Sequence, residues 1–448
     1  MFTFLRTLIS SLYLTNRFFA VMGGLFFLFG ISFPFPILLP IGKGLLAIGV
    51  TLVAVEIFAL YRIKEGINAN RNTPDKLSNG DQNYITISLE NLYTFPVKLT
   101  VIDEIPFQFQ VRDSNAEVSL QPAEQTLIQY SLRPTKRGEY SFGAVNVFVS
   151  SPLGFARRRY RFSQNAIVPV YPSYIQLRKY ELLAISNRLT DAGIKQIRRI
   201  GQSMEFEHIR RYVRGDDYRL VNWKASARTG DLMVNNFTDE KAQHIYSVID
   251  KGRVMKMPFE EMSLLDHAIN SSLILSNVAI LKQDKAGIIT FASKIGSVLP
   301  ADRKTSQMHT ILELLYAEKT NYTESNYELL HATVRSKLPQ RSLLLLYTNF
   351  ETLSSLERQL PYLRSIAKQH LLVVIFFENT ELRTLLESPA TTTEEIYLKT
   401  IAEKFAYEKR LIVKELERFG IQAVLTAPKD LTVNTINKYL ELKARRMI

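Results

Sequence analysis

The chain has 448 residues, with 56 Lys and Arg against 43 Asp and Glu, a formal excess of +13, and no cysteine. That length suggests about three folded units. A hydrophobic share of 46% with 22% charged residues excludes a wholly disordered chain. Without cysteine, disulfide scaffolds, thiolate-bound zinc, iron–sulfur clusters and thiol catalysis are excluded. The six histidines form no HxH or HExxH pair, which argues against a His-rich catalytic metal site. The cationic excess favours an anionic surface: nucleic acid, a lipid leaflet or an acidic protein.

Between Phe18 and Tyr61 only Lys43 and Glu56 are charged. A spanning helix needs about 20 apolar residues, so this stretch has room for two. The expected helices run from about 18 to 39 and from 45 to 61. Pro34, Pro36 and Pro40, followed by Gly42-Lys43-Gly44, supply the turn between them. Residues 1–66 thus read as a transmembrane hairpin. A cleavable leader fits poorly, because the apolar part is too long and lacks a clear small-residue cleavage site. Arg6 and Arg17 precede the hairpin, and Arg62, Lys64, Arg71 and Lys76 follow it. The positive-inside rule then places both ends in the cytoplasm, in an inner membrane, with the soluble parts on the same side. Glu56 is expected to snorkel or to pair with Arg62 or another helix, although an intramembrane carboxylate is also a functional candidate.

Residues 67–80 are polar and read as a linker. Period-two alternation follows, in Tyr84–Leu89, Val97–Ile102, Phe107–Val111, Thr126–Leu132 and Tyr140–Val149. Short turn-separated runs of this kind predict a small antiparallel β-sandwich over 81–172. Arg157–Arg161 reads as a basic strand with a solvated face.

Residues 173–241 hold the most distinctive stretch. Arg210, Tyr212, Gly215, Asp216, Asp217, Arg219, Trp223, Lys224 and Arg228 mix acids, cations and aromatics around one tight turn. Asp216 and Asp217 are expected to accept from turn N–H groups and to pair with Arg210, Arg219 and Arg228. Trp223 needs a hydrogen-bond partner if it is buried. Three chemistries fit: a partner-binding platform, a metal-dependent hydrolase or transferase using Asp216 and Asp217, and a stacking surface for nucleic acid.

From 242 to 448 apolar runs alternate with helical patterns, which predicts an α/β domain with a parallel sheet covered on both faces. Its strands fall near 245–250, 286–291, 342–347, 371–377 and 423–425. Helices are expected near 260–282, 305–317, 327–336, 353–368, 393–418 and 433–445. Ligands of such sheets sit at the carboxyl ends of the strands, and Asp250 lies at the end of the first.

The run from Arg210 to Leu232, with Arg137–Gly143 and Ser151-Pro152-Leu153-Gly154, resembles the bacterial domain-of-unknown-function family 58. The family often has Asp where this chain has Ser151. The resemblance implies a multidomain protein: an N-terminal transmembrane hairpin, a small β-sandwich and a C-terminal α/β von Willebrand factor A-like domain. It implies as partners a MoxR-type AAA+ ATPase, other von Willebrand factor A-like membrane proteins and the lipid bilayer, with nucleic acid disfavoured. No enzymatic activity and no cofactor follow from it. In von Willebrand factor A-like domains the first strand ends in Asp-x-Ser-x-Ser and holds Mg²⁺. Here Asp250-Lys251-Gly252-Arg253-Val254 keeps only the aspartate. Asp250 is therefore expected at a degenerate site without metal, capping its loop or pairing with Lys251 or Arg253. The expected function is a membrane-anchored cytosolic interaction scaffold, acting with a MoxR-type ATPase in assembly or maturation of other proteins.

Overall fold

The computed structural model describes residues 10–111, 115–185, 204–239, 242–320, 322–390, 392–445 and 447. Arg6, invoked above for orientation, and residues 186–203 lie outside that set. The chain forms two compact units, 1–171 and 172–448.

The first unit begins with a short strand, β1 (Leu12–Leu14), and two apolar helices, α1 (Asn16–Ile31) and α2 (Leu38–Arg62). The turn between the helices falls at 32–37, earlier than its glycines and third proline suggested. Pro40 sits in the first turn of α2, where a missing N–H costs nothing. Gly42 and Gly44 are helical. A Cβ on Gly42 would lie 3.1 Å from the Phe29 ring, so this glycine serves helix–helix approach rather than a bend. Large apolar side chains such as Phe26, Phe27, Ile48 and Phe58 face outward.

Among the described residues ten further strands, two to nine residues long, belong to this unit. One five-stranded antiparallel sheet has the order β1, β10 (Ala156–Phe162), β9 (Val145–Ser150), β5 (Val97–Asp103), β6 (Asn115–Leu120). A second, also antiparallel, joins β2 (Ile67–Asn72), β4 (Asn83–Asn91) and β7 (Gln125–Leu132). The third sets β11 (Ala166–Tyr171) between β3 (Leu77–Ser78) and β8 (Gly138–Phe142). Residues expected to be a linker thus supply β2 and β3. Ile67, Ala69 and Arg71 alternate inward there, and the Asn residues between them made the stretch look uniformly polar. Arg71 is no free flanking cation. It is buried and ion-paired with Asp103 at 2.5 Å, and Tyr130 donates to the same carboxylate. Phe107–Phe109 is a single 3₁₀ turn rather than a strand, with Phe107 pointing to the outside.

The second unit contains α3 (Tyr174–Ile185), a two-stranded hairpin described below, and a six-stranded α/β layer. The sheet order is β18 (Ile295–Asp302), β17 (Lys285–Phe291), β14 (His244–Asp250), β19 (Leu343–Tyr347), β20 (Leu371–Phe377), β21 (Gln422–Thr426). Four of the five pairings are parallel; β18 runs antiparallel at the edge, where the alternation pattern had shown no strand. A small ribbon, β15 (Pro258–Phe259) with β16 (Met262–Ser263), precedes α5 (Leu264–Leu281). Helix α5, α6 (Thr305–Ala317) and α11 (Leu431–Ala444) pack on one face. The other face is covered by α7 (Tyr327–Lys337), α8 (Leu353–Gln369) and the C-terminal part of α10 (Thr393–Arg418). Central strands buried on both faces are continuous apolar runs, which is why Leu343–Tyr347 and Leu371–Phe377 were visible as strands.

Among the described residues two helices are long and apolar enough to cross a membrane, α2 and α5. Helix α5 is the buried core helix of the second unit, whereas α2 presents its apolar surface outward. Helix α1 is equally apolar but has 16 residues.

Candidate functional site

The 210–232 motif folds as an elaborated hairpin. Strand β12 (Met204–Arg211) pairs antiparallel with β13 (Met233–Asp239), with a register shift between Phe206 and His208. Tyr212 N–H donates to the Leu232 carbonyl at 2.8 Å and Asn222 N–H to the Met233 carbonyl at 2.8 Å, closing the base of the excursion. Gly215, at φ 114°, takes the backbone position that side chains avoid. Asp216 then turns back. Its Oδ1 accepts from Arg210 Nη2 and its Oδ2 from Arg210 Nη1, both at 2.7 Å, and Oδ2 also accepts from Val213 N–H at 2.9 Å. This forked pair holds the Asp216 carboxyl below, and the Arg210 guanidinium above, its ordinary range.

Asp217 has a different task. Its Oδ1 accepts from Arg219 N–H at 3.0 Å and caps the 3₁₀ turn Tyr218–Leu220. The Arg219 guanidinium lies over the Tyr218 ring at 5.8 Å instead of pairing with an acid. Asn222 caps α4 (Trp223–Thr229) through Ala225 N–H, and Gly230 ends it at φ 74°. Arg228 stands exposed in the last turn of α4 and makes no ion pair with Asp216 or Asp217. Lys224 is also exposed, and Tyr212 is half-buried. Arg211 pairs with Asp231 at 3.1 Å on the surface.

The ion pairs therefore rigidify the backbone, and the aromatics do not hide inside it. Trp223 is 70% exposed, Tyr218 71% and Val213 62%, with Leu232 exposed beside them. A lone tryptophan usually signals a core; here it stands on the surface, and Arg214, Arg219, Lys224 and Arg228 of the same excursion are exposed as well. Asp216 gives both oxygens to Arg210, and no group of three His, Asp or Glu residues suited to a metal occurs among the described residues.

The second predicted position, Asp250, is fully buried at the carboxyl end of β14. It pairs with neither Lys251 nor Arg253. Oδ1 accepts from Gly252 N–H at 2.7 Å and Ser325 Oγ at 2.5 Å; Oδ2 accepts from Thr348 Oγ1 at 2.7 Å and Tyr327 Oη at 3.3 Å. Lys251 reaches Glu318 instead, at 2.5 Å. The three hydroxyls come from residues 75, 77 and 98 positions away in sequence, so the motif itself could not reveal them. Burial raises the Asp250 carboxyl above its ordinary range, against the pull of these donors. Gly252 is obligatory: a Cβ there would sit 1.9 Å from Ser325 Oγ.

A third cluster went unpredicted. Glu56, in α2, is 1% exposed and does not meet Arg62. It accepts from Ser151 Oγ (2.6 Å) and Gly154 N–H (3.0 Å) on Oε1, and from Phe155 N–H (3.0 Å) and Ala156 N–H (3.1 Å) on Oε2. Two residues on, Arg158 is buried in what was read as a solvated basic strand. It donates to the carbonyls of Leu60, Ile63 and Lys64, at 2.5, 2.7 and 2.8 Å, and lies against the rings of Tyr61 and Tyr160. The Ser151–Gly154 loop is thus a receptor for the end of α2.

The sequence profile of the family described as "Protein of unknown function DUF58" matches residues 208–388, from the hairpin into the α/β layer. The resemblance to that family, first carried by the motif residues, holds over this segment. "Uncharacterized protein YeaD" of Bacillus subtilis (strain 168) is 26% identical over 226 residues, 49% of this chain and 55% of the relative. The match thus spans about half the length of that curated relative. Among solved structures, the conserved hypothetical protein BatB from Bacteroides thetaiotaomicron overlaps 46% of this chain and 100% of its own, at 15% identity and a TM-score of 0.31. Native alpha-2-macroglobulin from Escherichia coli overlaps 24% of this chain and 16% of its own, at 19% identity and a TM-score of 0.20. At these TM-scores neither likeness bears on fold or function.

Proposed function

We propose that this protein is a membrane-anchored interaction scaffold whose 204–239 hairpin is its docking element. The observation that carries the reading is the exposure of Trp223, Tyr218, Val213 and Leu232 on a backbone locked by the Arg210–Asp216 fork. Aromatic anchors on a preorganised support, ringed by cations, suit a partner surface that is apolar at its centre and acidic at its rim. On this reading α1 and α2 form a hairpin in the inner membrane, with both termini and the soluble parts in the cytoplasm. The α/β layer is a von Willebrand factor A-like domain: an antiparallel edge strand and an aspartate at the end of the first strand are consistent with that assignment. Its Asp250 carries hydroxyl and amide donors in place of a cation. By family resemblance the partner is a MoxR-type AAA+ ATPase, and the work is assembly or maturation of other proteins.

Co-purification from native membranes tests the proposal. The wild-type chain should retain an ATPase of this type, and a Tyr218→Ala, Trp223→Ala double variant of unchanged melting temperature should lose it. Retention of the same partners by the double variant would exclude the hairpin as the docking element.

A further inference from the structure

Away from the hairpin, a cleft of about 670 Å³ opens at the carboxyl end of the sheet in the second unit. That volume suits a single small ligand. Phe377 and Leu425, from β20 and β21, form part of its lining. Leu382 and Leu386 come from α9 (Thr380–Glu387), and Phe405 from α10. Into this apolar space α10 sends Lys409. Its Nζ donates to Asn349 Oδ1 at 2.6 Å and lies 5.7 Å from the Phe376 ring. Among the described residues no carboxylate comes within 4.0 Å of it, whereas the partly buried Lys251, Lys438 and Lys443 each meet one; Lys282, Lys285 and Lys399, also partly buried, do not. Partial desolvation lowers the Lys409 ammonium to about 8. The fold therefore keeps a cation with donors to spare at the edge of an apolar cavity, with Glu351 as a more distant counter-charge and no close ion pair, a costly arrangement.

We infer that this cleft binds a small apolar monocarboxylate, with its carboxylate on Lys409 and its hydrocarbon body between α9, α10 and the sheet ends. Glu351, Glu378 and Glu387 also line the cleft, with Arg410 and with Arg383, which lies 3.8 Å from Glu378 and 3.9 Å from Glu387. An extended peptide fits less well, because the apolar walls would leave its backbone N–H and C=O groups without partners. The inference does not depend on what the hairpin docks, and it can fail independently.

The test is equilibrium dialysis of radiolabelled octanoate, and separately octanol, against the full chain in lipid nanodiscs, with empty nanodiscs as the blank. Octanoate should bind saturably at one per chain, with octanol weaker. Lys409→Met should weaken octanoate by about tenfold or more, the loss expected for a charged hydrogen bond, and leave octanol unchanged. Lys409→Arg should retain octanoate binding, which separates loss of charge from loss of fold. Octanoate uptake equal to the blank, or equal in Lys409→Met and wild type, would overturn the inference. So would displacement of octanoate by a short free-carboxylate peptide at lower concentration than octanoate itself requires, since that would make the cleft a peptide site.

Discussion

Arg210 and Asp216 were close enough in sequence to be paired by inspection, six positions apart around a glycine, and they meet as a forked pair. Asp217, one residue on, shows the limit of such inspection: it caps a turn and leaves Arg219 to stack on Tyr218. The hairpin carries its own reporter, because Trp223 is the only tryptophan. Asp216 has a folded pKa below its unfolded one, so its contribution is present above the unfolded value, near 3.8, and is lost as pH falls through the folded value. We predict that Trp223 fluorescence reports a hairpin transition below about pH 4 in the wild type. In Asp216→Asn the hairpin should already be loosened at neutral pH, with that acid step absent. Asp250 obeys different rules. Replacing it with Asn sets an N–H₂ group against hydroxyl and amide donors and should lower stability by about 1–3 kcal/mol in urea titration. Because its four donors already occupy the lone pairs that a cation would need, calorimetry of the full chain with millimolar Mg²⁺ should show no saturable signal. A signal abolished by Asp250→Ala would mean that Ser325 and Thr348 act as ligands after all.

At the scale of elements, the joint between α2 and its β domain decides how the first unit works. A helix end normally leaves its last carbonyls to water. Here Arg158 takes three carbonyls from Leu60 to Lys64, and Glu56 gathers four donors from the Ser151–Ala156 loop. Leu60 is fully buried in the hydrophobic core of that β domain. Helix α2 is consequently held in one orientation on its β domain rather than swinging on a linker, and a movement of one must be transmitted to the other. Glu56→Ala would orphan those donors and should cost about 3 kcal/mol or more. The expected readout is new protease cleavage near Ser151–Phe155 with α2 still inserted. Arg158→Lys should fail to rescue, since one ammonium cannot span three carbonyls and two rings. Unaltered cleavage in both variants would show that the joint is held by Leu60 burial alone.

For the whole molecule, the predicted topology is the broadest claim at stake. On the proposed topology, the cations flanking the apolar hairpin would leave both ends on the same side. Reporter fusions at Met1 and Ile448 should both give cytoplasmic signals, and a periplasmic signal from the C-terminal fusion would defeat the cytosolic-scaffold proposal. Burial of Arg71 subtracts one cation from the folded flank but leaves Arg62 and Lys64 beside the helix end.

Read alone, the amino-acid order determined what depends on near neighbours. The helices at 305–317 and 393–418 and the strand at 371–377 have the expected bounds, because amphipathic period and continuous apolar runs are local properties. The Arg210–Asp216 turn was legible for the same reason. Only the tertiary structure decided the rest. Glu56 finds its partners 95 to 100 positions away and Asp250 finds Thr348 98 positions away, while Lys409 meets Asn349 across 60. Polar strands such as Ile67–Asn72 show their inward face only once a sheet exists to bury it, and Trp223 shows its outward one only once the Arg210–Asp216 fork has closed. A side chain's chemistry is written at its own position, but its burial and its hydrogen-bond partners belong to whatever the rest of the chain folds against it.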